Sequence, residues 1–197
     1  MDNEEILKEF ESAGAIIRGH FVLSSGLHSD TYMQCARALM DPKRAEKLCS
    51  ALAEKIEEKI GRNSIDMIVA PATGGIVVGY EMGRQLGIIT IFCEREDGKF
   101  VLRRGFEIPK GARVLIVEDV VTTGKSSLET VICVQENGGK VIGEACLINR
   151  SGMSDPLDGI PLIPLAEITV KTYHEVEVPD SLKAVPAVKP GSRWLKK

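Results

Sequence analysis

Val114-Leu115-Ile116-Val117-Glu118-Asp119-Val120-Val121-Thr122-Thr123-Gly124-Lys125-Ser126-Ser127 decides the architecture of this chain. The four apolar residues that open it specify a strand buried on both faces, as in a parallel sheet. Two carboxylates follow, and a turn of hydroxyls and one glycine leads into a helical pattern over about 126–136, with Leu128, Val131, Ile132 and Gln135 in register. Ligands of open α/β sheets sit beyond the carboxyl ends of the strands, which is where these polar residues fall. Unpaired N–H groups at a helix start, at the positive end of its dipole, suit a phosphate monoester, and Thr122, Thr123, Ser126 and Ser127 add hydroxyl donors. Glu118 and Asp119 would repel that phosphate, so they serve vicinal hydroxyls such as those of a ribose. A sugar phosphate is the economical ligand. Gly124-Lys125-Ser126 imitates a P-loop, but that motif needs glycine where Asp119 stands, which excludes a nucleoside triphosphatase of that kind.

The same alternation extends outward. Residues 65–70, 88–93 and 141–148 read as further strands, and Ala45, Leu48, Cys49, Leu52, Ile56 and Ile60 mark a helix that begins at Asp41-Pro42 and stops at Gly61. The expected fold class is therefore α/β, a mostly parallel sheet covered by helices on both faces. Ile6, Leu7 and Phe10 predict a short amphipathic N-terminal helix, and residues 15–40 predict short strands forming a small lobe. The chain is read as one domain, divided into helix and lobe (1–40), α/β core (41–178) and a Pro-rich extended tail (179–197).

Composition agrees with that reading. At ~150 residues per domain, 197 residues and a 44% hydrophobic content favour one self-sufficient core. A formal net charge of -3 is too balanced for broad neutralisation of nucleic-acid phosphates, so no nucleic-acid partner is expected. Five scattered cysteines without a C-x-x-C read as reduced thiols, and no apolar run reaches ~18 residues, so the expectation is a cytoplasmic protein with no membrane partner.

The run from Val114 to Ser126 resembles the signature of the type I phosphoribosyltransferases, which bind 5-phosphoribosyl 1-diphosphate (PRPP). Residues 14–32, Gly14-Ala15-Ile16-Ile17-Arg18-Gly19-His20-Phe21-Val22-Leu23-Ser24-Ser25-Gly26-Leu27-His28-Ser29-Asp30-Thr31-Tyr32, are similar to the hood of the orotate-specific members. Arg103-Arg104-Gly105-Phe106 and Lys189-Pro190-Gly191-Ser192-Arg193 are similar to their bacterial representatives. The resemblance implies the type I phosphoribosyltransferase fold with a small N-terminal hood. It also implies Mg²⁺-dependent transfer of phosphoribosyl from PRPP to orotate, giving orotidine 5′-monophosphate and diphosphate, a step of pyrimidine synthesis.

Residue by residue, it implies that Glu118 and Asp119 hold the ribose. Val120, Val121, Thr122, Thr123, Gly124, Lys125 and Ser126 would hold the 5′-phosphate. Thr73 and Gly74, in the turn after the strand ending at Ala70, would offer backbone N–H groups to the diphosphate. A mobile loop around residues 94–100 would bring Arg95 and Lys99 to the diphosphate, often in the neighbouring subunit of a homodimer, with Lys99 preferred over Arg103 or Arg104. Lys99 and Asp119 are the expected catalytic residues. Thr122, Arg150, Ser25 and Gly26 are the expected orotate contacts, Arg150 because a desolvated carboxylate needs a fixed bidentate donor. Ser24 replaces a lysine common in the family, so that role is not carried over. Magnesium would be held mainly by substrate and water, and His20, His28 and His174 lack metal-ligand spacing, so no protein metal ligand is expected. Two alternatives stay open: transfer to another base, and a PRPP-sensing regulatory protein on the same fold.

Overall fold

Val114, Leu115, Ile116 and Val117 are completely buried, because the strand that carries them lies inside a six-stranded sheet. The computed structural model describes residues 1–23, 25–153 and 157–190. Its strands are β1 (Ile16–Val22), β2 (His28–Met33), β3 (Met67–Pro71), β4 (Thr90–Glu96), β5 (Lys99–Leu102), β6 (Arg113–Val121), β7 (Lys140–Asn149), β8 (Leu162–Glu167) and β9 (Thr172–Tyr173). The helices are α1 (Asn3–Ser12), α2 (Cys35–Leu39), α3 (Pro42–Lys59), α4 (Gly74–Leu86), α5 (Lys125–Glu136) and α6 (Asp180–Lys183).

The main sheet has the order β5-β4-β3-β6-β7-β8 and is parallel except for the β4–β5 pair. From β3 the chain crosses to β4 on one side and then returns to β6 on the other. The crevice beyond the ends of β3 and β6 is therefore the topological switch point of the sheet. One face packs Leu115, Val117 and Leu147 against Leu48, Leu52 and Ile56 of α3 and Val78 and Met82 of α4. The other packs Val69 and Val114 against Cys133 and Val134 of α5. β1, β2 and β9 form a separate antiparallel sheet, the hood, closed by Tyr32 stacking 5.6 Å from Phe21. All five cysteines are free and buried, and among the described residues no helix is long and apolar enough to cross a membrane.

Two segments differ from expectation. The charged stretch from Glu94 to Arg104 is a tight hairpin, because Asp97 and Gly98 both adopt positive φ (49° and 84°), the geometry of a type I′ turn that carries strand twist across two residues. The C-terminal segment is extended only in part: residues 180–183 form α6, which buries Leu182. Residue 24 and residues 191–197, which include Trp194 and the end of the resembling tail, lie outside the described residues.

α4 lies close to the sheet because its inner face is glycine. A Cβ at Gly79 would stand 2.7 Å from the Cβ of Ala70, and one at Gly83 would stand 2.8 Å from the Ile88 carbonyl oxygen. Gly79→Ala is expected to lower stability by about 1–3 kcal/mol, despite a helix-propensity gain of ~1 kcal/mol, because the overlap must be relieved against a buried strand. Denaturant unfolding checks this, and an unchanged or raised midpoint would show that α4 moves freely away from β3.

Candidate active site

The register fixes what meets at the switch point. Val69 pairs with Ile116, so Pro71 at the end of β3 lies level with Glu118 in β6, and the two following turns converge. Their approach is so close that a Cβ on Gly74 would stand 2.9 Å from both carboxylate oxygens of Asp119. Any larger residue there would have to displace the Asp119 carboxylate. The peptide Ala72-Thr73 in this turn is cis.

Among the four longer helices, the two that start at the crevice have no side-chain cap and the two that start elsewhere do; the short α2 and α6 also have none. Asp2 and Asp41 side chains accept from the first-turn N–H groups of α1 and α3. Thr73 and Gly124, the residues preceding α4 and α5, make no side-chain cap. Helix-start N–H groups at the positive end of a dipole suit anions, so the crevice offers two candidate anion sites, the Lys125 N–H of α5 being met only by the Thr123 hydroxyl at 3.4 Å. Gly124 adopts φ 71°, which turns the chain sharply from β6 into α5.

Between these anion sites lie the acids. Glu118 is buried, and its Oε1 accepts from the Asp119 N–H at 3.1 Å, while Asp119 Oδ1 accepts from the Val120 N–H at 2.8 Å. Burial, and for Glu118 the neighbouring Asp119 charge, push both carboxyls above their ordinary range. The pair resists carrying two charges until a cation or hydrogen-bond donors arrive.

A cavity of about 530 Å³ opens beside Asp119 and brings together Ser25, Val120, Thr122, Thr123 and Arg150 of the expected site. Arg150 follows β7, its N–H donating to the Val121 carbonyl at 2.9 Å. Its guanidinium is half-buried and has no acidic partner among the described residues, and burial draws its pKa down from the usual value. A cation desolvated without a counter-ion is prepared for an anionic ligand. A hollow of about 600 Å³ lies elsewhere, along the edge strand β8, but Lys55 Nζ there already donates to the Pro164 and Leu165 carbonyls.

The structure does not bring every expected residue into the cavity. Gly26 lies beside it, with φ 84° in the turn after Ser25. Thr73 and Gly74 flank it across Asp119. Glu118, Val121, Gly124, Lys125 and Ser126 form its β6–α5 edge, with Val121 buried, so that only its backbone is available. Arg95 and Lys99 stand on the β4–β5 hairpin outside the cavity. Arg95 is held by Glu129 of α5 and by the Gly98 carbonyl at 2.8 Å, with its guanidinium 4.3 Å above the Phe100 ring. The Lys99 side chain makes no hydrogen bond or ion pair among the described residues, and the residue is exposed. Arg103 and Arg104 pair with Glu96 and Glu94.

Sequence reasoning missed Tyr32, Gln34, Thr172 and Pro190, which also line the cavity. Tyr32 lies near the end of β2 and Gln34 just after it, Thr172 carries no local signal, and Pro190, although part of the resembling tail, arrives from distant sequence. Glu144 was missed too, although a lone carboxylate inside a Val/Ile strand is a visible oddity. It is fully buried under α5, neither carboxylate oxygen has a hydrogen-bond partner, and burial raises its pKa to about 7, offset in part by the nearby Ser127 hydroxyl.

A model of the phosphoribosyl transferase domain matches residues 36–175. Orotate phosphoribosyltransferase of Parvibaculum lavamentivorans is 52% identical over 195 residues, 99% of this chain and 100% of that protein. The same enzyme of Maricaulis maris is 50% identical over 195 residues, with the same coverage. Among solved structures, orotate phosphoribosyltransferase from Aeropyrum pernix superimposes with a TM-score of 0.68 at 28% identity, covering 82% of this chain and 93% of that one.

Glu144 yields a pH test. The folded state keeps its proton up to about pH 7 while an ordinary carboxyl loses it near 4.5, so stability falls as pH rises through that window. Glu144→Gln is expected to raise the unfolding free energy at pH 8 by about 1–3 kcal/mol and to leave it nearly unchanged at pH 4. Urea denaturation at both values checks this, and equal effects at the two would mean that Glu144 does not titrate there.

Proposed function

The chain belongs to the orotate phosphoribosyltransferase family, and from that premise we propose how its own residues carry the transfer of phosphoribosyl from PRPP to orotate. The observation that carries the assignment to this base is Arg150, a half-buried guanidinium without an acidic partner among the described residues, facing the cavity beside Asp119 and Thr122. Orotate brings a carboxylate that a guanidinium holds bidentately. A neutral purine or uracil leaves that cation uncompensated.

In this reading the 5′-phosphate lies on the uncapped start of α5, between the N–H groups and hydroxyls of residues 122–126. Glu118 and Asp119 accept from the ribose hydroxyls, and the diphosphate lies on the uncapped start of α4 at Thr73 and Gly74. The bond from the anomeric carbon to the diphosphate oxygen breaks, its electron pair leaves with the diphosphate, and a ring nitrogen of orotate forms the new bond as its N–H proton is released to solvent. Positive charge grows on the ribose ring as negative charge grows on the leaving group, by analogy with glycoside cleavage. Asp119 faces the first charge, and N–H groups with a basic side chain face the second. Arg150 and Thr122 fix the orotate ring against the anomeric carbon, which contributes through orientation.

Magnesium suits this donor set. The described residues contain no cluster of three metal-ligating side chains, while Asp119 and Glu118 form a desolvated acid pair beside the diphosphate turn. Mg²⁺ is usually held by one or two carboxylates plus substrate oxygens and water, and supplies Lewis-acid stabilisation of diphosphate when bound.

We further read the protein as a homodimer, with Lys99 on the projecting hairpin reaching the diphosphate of the neighbouring protomer. This is supported by Lys99 having no partner among the described residues, and by exposed Val77 and Tyr80 on one face of α4 with exposed Met40 at the adjoining end of α2. The charge balance and fold favour a cytoplasmic enzyme.

Arg150→Ala is expected to raise the orotate KM by an amount equivalent to about 1.5–3 kcal/mol, with the PRPP KM little changed. Steady-state kinetics with each substrate varied checks it, and an unaltered orotate KM would return Arg150 to a structural role. Lys99→Ala is expected to lower kcat far more than it changes the orotate KM, because it acts on charge developed at the transition state. An unchanged kcat would remove Lys99 from the mechanism.

A further inference from the structure

The C-terminal segment enters the hood from both sides. Before it, β9 pairs with β2 through Ser29↔Thr172 and His28↔Tyr173, and the Ser29 hydroxyl donates to the Lys171 carbonyl at 3.0 Å. The chain then turns through α6 and returns along the opposite edge, where Val188 bridges to Phe21 of β1. There the Val188 N–H donates to the His20 carbonyl and the Val22 N–H to the Val188 carbonyl, both at 2.9 Å. Residues 171–190 thus form a strap around the hood. Its two ends, Thr172 and Pro190, line the cavity that holds Arg150.

A histidine pair fastens the strap. His20 is buried, its Nδ1 lies 2.9 Å from the Val185 carbonyl oxygen, and its Nε2 lies 2.7 Å from His28 Nδ1. A carbonyl only accepts, so His20 Nδ1 carries a proton. In the neutral pair, Nε2 of His20 then accepts from Nδ1–H of His28, and the tautomers of both rings are set by the strap. Leu182 and Val178 are buried on the same segment, so it is packed as well as hydrogen-bonded.

We infer that the strap is a wall of the base pocket and that His20 is a positioning residue for it, holding Pro190 against the cavity and thereby setting affinity for the base. The inference rests on the orotate reading of that cavity. Its specificity follows from the layout. Pro190 lies two residues beyond the β1 bridge, on the hood side with Ser25 and Tyr32, whereas the phosphate turns belong to the core. Loosening the strap therefore enlarges the base pocket and leaves the PRPP cradle in place.

The test is the split between substrates. His20→Ala is expected to raise the orotate KM about three- to tenfold, with the PRPP KM and kcat within about twofold, because it removes the hydrogen bonds to the Val185 carbonyl and to His28 that fasten the strap. His20→Asn, whose amide reaches the Val185 carbonyl from a position near that of Nδ1, is expected to restore most of the loss. Pro190→Gly, which leaves the histidine pair intact, is expected to give the same split and serves also if His20→Ala fails to fold. Orotate kinetics unchanged in Pro190→Gly, equal rises in both KM values, or an asparagine variant no better than alanine would overturn the inference. Absence of orotate turnover in the unaltered protein would instead overturn the reading of the cavity on which it rests.

Discussion

The parallel pairing of β3 with β6 is the constraint from which the site follows. With Val69 beside Ile116, the turns after the two strands meet at one end of the sheet, and glycine at position 74 lets the Asp119 carboxylate lie against the neighbouring turn. That pairing aims the uncapped starts of α4 and α5 into one crevice, with the acid pair between them. Hydrophobic burial on both faces of the sheet holds the register, because a slip of one residue would turn Leu115 and Val117 to the wrong side.

Charge in this crevice is left unbalanced in the protein alone. Glu118 and Asp119 are buried close together, Arg150 is half-buried without an acidic partner among the described residues, and two helix starts lack caps. Each is costly in isolation, and in the proposed reading each is relieved by one part of a phosphorylated sugar with an anionic base. Exposed pairs such as Arg104 with Glu94 contribute little to stability by comparison. The architecture holds the unfavourable groups in position because its core, built from α3, α4, α5 and the sheet, is apolar and closely packed.

Much of this was readable before the structure. The Val/Ile runs marked β3, β6 and β7, because strands buried on both faces must be apolar throughout, and the helix starting at Asp41-Pro42 announced itself by its cap. The acid pair and hydroxyl turn pointed to the candidate site, since polar residues at a strand's carboxyl end have few structural reasons to cluster. The hairpin carried its own signal in Asp97-Gly98, but charge drew attention to a loop instead. The place of Thr172 and Pro190 in the cavity was not readable, although the tail that holds Pro190 stood out by resemblance, because it depends on a strap that closes over more than 140 residues of intervening chain, from β2 to β9. Position-by-position patterns report local periodicity, and such long-range closure leaves no trace in them.

The most direct measurement incubates the protein with PRPP and either orotate or one of several neutral bases, with and without a magnesium chelator, and follows base consumption together with diphosphate release. The account predicts turnover with orotate alone, abolished by the chelator, with one diphosphate released per orotate consumed. Turnover confined to a neutral base, or binding of PRPP without turnover of any base, would contradict it.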